Sequence, residues 1–429
     1  MKKIIVFFES YNDVDNIMPF IDYLLSNNKA KVTIYKSKLS NLSGCEDYLK
    51  YLKSTYNLSP VYFDENFSKL YNLFFSLYRN FRNISLKAKT NSLFLPVIIL
   101  NTRVFRPFIK YLTRVEVYRS LSSLDADTIM MDEGKEGSFF ASVIVNYCKN
   151  NTISVVGFPH GFTIYTNSDP QCKDRAKRNR NTIKSLLLKL AKPAVKKSYF
   201  DRYLTVPGQK DTFYSTSMLN FDAKYLNRVY EVGSMRFTHE WISKLRKDVI
   251  TPKNFSYGDK SRTNVVVFMS NPRYNVNITN LVTSLKTLSE FNKINLVIKP
   301  HTRSLFEGME HEKICGYDAT KISSSELSLW ADVGIVYGSS IAFQLIMDNV
   351  PIIMPRYFHT NSTLLEENDA CIVVDDLDSL MHVLSKPVES VNNMINQSKR
   401  KNLIDYYVYG GNVYSEFMDR FYKLVVGQQ

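Results

Sequence analysis

Four short polar clusters each follow an apolar, β-rich run. Asp132, Glu133 and Gly134 follow DTIMM, and Pro159, His160 and Gly161 follow SVVGF. Lys299, Pro300 and His301 close LVIKPH, and Gly338, Ser339 and Ser340 follow VGIVY. Two adjacent carboxylates raise each other's pKa by repulsion, so one of them can take up a proton near neutrality, as a general base must. Strand alternation would turn Asp132 and Glu133 to opposite sides, leaving one to face a ligand. The ordinary alternative is that both favour the dipole of a helix starting near Ser138. The Gly-Ser-Ser cluster precedes the helical pattern IAFQLIMDN and offers two hydroxyls and backbone N–H groups to a phosphate. Plain N-capping by Ser340 would use the same geometry. Lys299 and His301 would add positive charge there, and His301 could protonate a departing phosphate oxygen.

These residues need a scaffold that gathers strand ends. Short β-rich runs alternate with helical patterns from KIIVFFES onward, which is the order of a parallel sheet with crossover helices. A helix is expected from about 14 to 27. Residues 45 to 120 read as mostly helical and rich in Tyr and Phe. ADTIMMDEG and TISVVGFPHG read as strands, and YLTVPGQK to YEVGSMRF as a further βαβ unit. A second alternating series begins at TNVVVFMSN. Asp375, Asp376 or Asp378 is suited to cap the helix DLDSLMHVLS, a better account of that D-x-D than a metal pair. The predicted domains are 1–240 and 263–400, both Rossmann-like. A linker is expected at 241–262 and a C-terminal helix at 401–429. Ligands of open α/β sheets bind beyond the carboxyl ends of the strands, here in a cleft expected between the domains.

Composition narrows the partners. With 429 residues, 45% of them hydrophobic and 13% aromatic, the chain has ample material for two cores. Five scattered cysteines, Cys45, Cys148, Cys172, Cys315 and Cys371, form neither a C-x-x-C pair nor a zinc pattern, so no metal or other cofactor is expected. MKKIIVFFES is too short in apolar residues for a signal peptide, and SLFLPVIIL is about half a membrane span. A cytoplasmic protein is expected. The formal charge of +14 calls for an anionic partner. Nucleic acid is not favoured, because no recognition-helix or RNP-like pattern accompanies the charge. The basic residues concentrate in 173–197, where leucines recur at helical spacing. That segment reads either as a helix lying on anionic lipid through Arg175, Lys177, Arg178 and Arg180, peripheral at the inner membrane, or as a solvated basic face.

VIKPHT, followed by ADVGIVYGSSIAFQLIMDNVPIIMP, resembles the C-terminal domain of bacterial surface-polysaccharide transferases of GT-B fold, with Thr302 where their motif has Pro. Polysialyltransferases, Kdo transferases and CDP-glycerol or CDP-ribitol phosphotransferases share this plan. The resemblance implies two Rossmann-like doubly wound domains, 1–240 binding the acceptor and 263–400 the nucleotide sugar, with the donor nucleotide held by His301, Ser339 and Ser340. YEVGSMRFTHEW is similar to the segment that closes the N-terminal domain in such proteins. DEG is similar to the paired-acid-glycine motif of polysialyltransferases, which implies a base at Asp132 or Glu133. GFPHG resembles the His-Gly segment of the polyol-phosphate transferases, which implies a base at His160 or, alternatively, a residue that positions the acceptor or the donor carboxylate. The function implied is an inverting, metal-independent glycosyltransferase of capsule or O-antigen assembly. It would use a nucleotide sugar, CMP-activated sialic acid or Kdo by preference, and an oligosaccharide or lipid-linked acceptor. A CDP-polyol phosphate transferase and a non-catalytic scaffold of polysaccharide export are the alternatives.

Overall fold

The computed structural model describes residues 1–87, 104–135, 138–159, 161–166, 200–210, 223–250, 255–271, 275–301, 314 and 316–428. The chain divides into two compact units. The first comprises Met1–His160, Asp174–Val232 and Ser415–Gln429; the second comprises Gly161–Lys173 and Gly233–Tyr414.

The first unit is built on a parallel sheet of seven strands in the order β3-β2-β1-β4-β5-β6-β7. The strands are β1 (Lys2–Ser10), β2 (Ala30–Asn41), β3 (Val61–Tyr62), β4 (Thr128–Asp132), β5 (Ser154–Phe158), β6 (Arg202–Thr205) and β7 (Val229–Glu231). Residues Ile4 to Phe8 of β1 and all of β4 are buried. Strands covered on both faces must be apolar throughout, which is why these runs do not alternate in sequence. Helices α1 (Tyr11–Ser26), α2 (Glu46–Tyr56), α3 (Lys69–Lys87), α4 (Arg106–Ser122) and α5 (Phe139–Asn150) intervene. The aromatic richness of 45–120 has a packing reason. Phe63 meets Phe7, Phe67 and Phe140 edge-on at 5.3 to 5.8 Å, and Phe67 meets Tyr71, so a chain of rings fastens the start of α3 to the sheet.

The second unit holds a parallel sheet of six strands in the order β10-β9-β8-β11-β12-β13. They are β8 (Thr263–Phe268), β9 (Ile294–Lys299), β10 (Tyr317–Asp318), β11 (Val333–Val336), β12 (Ile352–Pro355) and β13 (Ile372–Val374). Helices α6 (Ile278–Glu290) and α7 (Ile341–Met347) follow β8 and β11 in the same register of alternation. Gly334 lets α7 close on the sheet, since a Cβ there would lie 2.7 Å from Leu345 Cδ1. Asp376 caps helix Leu377–Leu384 by accepting from the Ser379 amide at 2.7 Å, as the D-x-D reading expects.

The chain passes from the first unit to the second between Val232 and Gly233. Residues expected as a linker carry the helix His239–Lys244, with Trp241 and Ile242 buried. Just beyond it, Arg246 clamps Asp348 through two bonds of 2.6 and 2.7 Å. The segment therefore packs within the second unit rather than joining two bodies. Of the residues expected as one C-terminal helix, 401–407 end the helix Gln397–Tyr407 in the second unit, and Ser415 onward belongs to the first.

Candidate functional site

Both sheets have the strand order of a doubly wound fold, whose switch point lies where the order reverses, between β1 and β4 in the first and between β8 and β11 in the second. Ligands of such sheets bind beyond the carboxyl ends of those two strands, because the flanking loops part there. The polar clusters at these ends are the candidate sites.

At the first switch point Asp132 ends β4 and is 2% exposed. Its partner is Asp13, wholly buried three residues after β1 ends, whose side chain hydrogen-bonds that of Asp132. Asp132 is thus paired in space with Asp13, a residue that the sequence did not single out. Burial, then repulsion from and hydrogen bonding to Asp132, push the Asp13 carboxyl up to about 7 from 3.8. Bonds from the Ser10 hydroxyl (2.6 Å) and the Glu9 amide (2.8 Å) pull it partly back. Asp132 also accepts from the Gly134 amide at 2.7 Å, which fixes the turn Glu133–Lys135. Glu133 is half-buried over β5, its Cβ 3.3 Å from where Gly157 would carry one. Ser138 caps α5 itself by accepting from the Ala141 amide, so the acids are not needed as caps. His160, the other candidate base, lies outside the described residues, as do Arg175, Lys177, Arg178 and Arg180.

At the second switch point the structure adds residues that the sequence did not single out. Tyr165, carried by Gly161–Thr166, reaches the ends of β8 and β11 and shares a hydrogen bond of 3.2 Å with the Ser270 hydroxyl. Its strand-like segment bridges to Thr363, and Leu364 N donates to Ile164 O at 2.8 Å. Gly338 is required for this approach. Its φ is +98°, and a Cβ would lie 1.8 Å from the Tyr165 hydroxyl. Ser339 and Ser340 are half-buried beside it. Ser340 begins α7 without a side-chain capping bond, so ordinary capping does not occupy its hydroxyl. Two of the first-turn amides, of Ala342 and Phe343, already donate to Ser339 O and Ser340 O, leaving fewer amides for an anion than the sequence implies.

His359, 4% exposed after β12, completes the cluster. It packs against Tyr165 at 6.1 Å and Tyr337 at 6.3 Å between ring centres. Burial lowers its pKa, and its Nδ1 accepts from the Asn361 amide at 3.1 Å, which leaves a neutral ring with the proton on Nε2. That Nε2 is buried and has no protein acceptor among the described residues. His301 is half-buried two residues beyond β9. The Lys299 ammonium donates to the carbonyls of Ala319 (3.1 Å), Thr320 (3.1 Å) and Ile322 (2.5 Å).

Among the described residues no three His, Cys, Asp or Glu side chains gather as a metal site requires. Among them also, no helix is long and apolar enough to cross a membrane.

No family model matches the chain, and no curated relative matches it. Solved structures do. The chain is similar to the glycosyltransferase of kitacinnamycin at 10% identity, over 99% of each chain, with a TM-score of 0.52. The fold is GT-B-like. A putative UDP-N-acetylglucosamine 2-epimerase from Listeria monocytogenes is similar at 9% identity, over 95% of this chain and 96% of that one, with a TM-score of 0.50. At such identities the likeness speaks for the fold alone.

Proposed function

We propose that the protein is an inverting, nucleotide-sugar-dependent glycosyltransferase of surface-glycan assembly. The observation that carries this reading is the buried Asp13–Asp132 pair at the switch point of the first sheet, where burial and mutual repulsion hold a carboxyl near pH 7. Inverting transfer needs a base for the acceptor hydroxyl, and a pair that exchanges a proton near neutrality serves as one. Asp132 and Glu133 supply the base, Asp13 tunes it, and the acceptor binds the first unit. The donor's phosphate lies at Gly338, Ser339 and Ser340, with His301 beside it and Tyr165 and His359 contacting the nucleotide sugar. No metal takes part in this proposal. CMP-activated sialic acid or Kdo is the preferred donor, on the motif set Asp132-Glu133-Gly134, His301 and Ser339-Ser340. The acceptor is an oligosaccharide or a lipid-linked glycan, which places the enzyme at the inner face of the membrane.

Nucleotide-induced stabilisation tests the donor. A ligand at about a hundred times its dissociation constant adds about 2.7 kcal/mol, a shift of several degrees in Tm. CMP should raise the transition, and UDP, GDP and ADP should leave it. A shift with CDP-glycerol or CDP-ribitol would move the assignment to polyol-phosphate transfer, and one with UDP alone would discard the cytidine donor. Acceptor-dependent release of the nucleotide then separates transfer from epimerisation, which needs no acceptor.

A further inference from the structure

Helices α3 and α4 pack together through Phe74 and Phe108, whose rings meet edge-on at 5.0 Å. Beside that contact each helix carries an apolar stripe turned outward. On α3 it is Leu70, Leu73 and Leu77, and on α4 it is Phe108, Tyr111 and Val115, both at i, i+3, i+7. These six side chains are 40% to 64% exposed, so the stripes are not part of the core that Tyr71 and Ile109 enter. A helix pair in a globular domain ordinarily turns such stripes inward.

The charge around the stripes identifies what they face. Between Lys69 and Ser122 stand ten Lys and Arg residues and a single acid, Glu116. Glu116 is 5% exposed and ion-paired with Arg119, so it adds no negative charge to the surface. Lys69, Arg79, Lys110 and Arg114 are exposed on the same two helices. We propose that the α3–α4 pair is a docking surface for an anionic lipid bilayer. The leucines and aromatic rings enter the acyl boundary, and the Lys and Arg side chains reach outward to the headgroup phosphates. A second copy of the chain is disfavoured as the occupant, because a two-fold contact would bring these cations against each other. The proposal rests on the membrane location in the functional reading above, and it gives that location a surface apart from residues 173–197.

The test is co-sedimentation of the full chain with vesicles of phosphatidylcholine, with and without phosphatidylglycerol. The parent should sediment with the anionic vesicles and stay in solution with the neutral ones. Replacing Leu73, Leu77, Tyr111 and Val115 by Gln, all exposed, should weaken partitioning at least about tenfold while leaving the thermal transition in place. Replacing Arg79, Lys110 and Arg114 by Gln should cause a similar loss that added salt reproduces in the parent. Sedimentation of both variants like the parent overturns the proposal. So does release only when Arg175, Lys177, Arg178 and Arg180 are replaced, or a parent that self-associates without lipid while the apolar variant does not. Nucleotide-induced stabilisation is measured without vesicles, so a failure here is distinct from failure of the transferase reading.

Discussion

Asp13 sets the pH behaviour expected of the first site. Its carboxyl titrates at about 7 in the folded protein against 3.8 in an unperturbed chain. The native state therefore holds a proton that the unfolded chain has lost, and the linked stability is complete below about pH 4 and declines as pH rises to about 7. At about 1.4 kcal/mol per unit the pair is a matter of a few kcal/mol. Turnover moves the opposite way, because a base must be able to accept a proton, so it should climb over the upper part of that window. Asp13→Asn should flatten the decline of stability with pH, measured by denaturant melts from pH 4 to 8. Asp132→Asn or Glu133→Gln should lower turnover at least about a hundredfold with little change in nucleotide affinity. Near-native turnover in both would move the base to His160. Asp132 was legible in the sequence because it ends an apolar run. Asp13 was not, because Ser10-x-x-Asp13 reads as a capping box, which the Ser10 amide donating to Asp13 at 3.0 Å also makes it. Nothing local tells that β1 lies beside β4, and that adjacency alone brings the two acids together.

Loop placement at the strand ends is the next scale, and there the second sheet offers a direct test. Gly338 combines a left-handed φ with a contact that any Cβ would break. Gly338→Ala should cost about 1–2 kcal/mol for the backbone alone, and more because Tyr165 must move. Tyr165→Ala costs its own packing but removes the clash, so the double variant should be less destabilised than the sum of the singles. A coupling of about 1 kcal/mol or more in denaturant melts is expected for groups in contact, and strict additivity would show that Tyr165 does not lie over Gly338. The sequence exposed the Gly-Ser-Ser cluster because a turn between an apolar run and a helical pattern is a local signal. Tyr165, Ser270 and His359 carry no such signal, since each is an isolated residue in its own loop. Nor is it legible in the sequence that the strand-end cation Lys299 donates to the carbonyls of Ala319, Thr320 and Ile322.

On the scale of the whole chain, the alternation of strands and helices was sufficient to read two parallel sheets. Unit membership follows from packing, and the terminal helix Tyr414–Val426 shows why. Phe417, Met418, Phe421, Leu424 and Val425 form its buried face, with Phe421 set 4.7 Å from Phe20 of α1. Tyr422 donates to Lys29 O at 3.2 Å and Arg420 to Glu231 O at 3.0 Å, both within the first unit. An amphipathic pattern predicts the helix and not the sheet that it covers, so the sequence joined it to the preceding helix. Burial of five such side chains at roughly 1.5–3 kcal/mol each is comparable to the entire stability of a domain, about 5–15 kcal/mol. A chain ending at Tyr414 should therefore lose amide protection throughout β1, α1 and β4, while β8, β9 and β11 exchange as slowly as in the parent. Hydrogen exchange read by mass spectrometry decides it: equal loss in both sheets would mean that the two units fold as one, and full protection in both would mean that the helix only decorates the first.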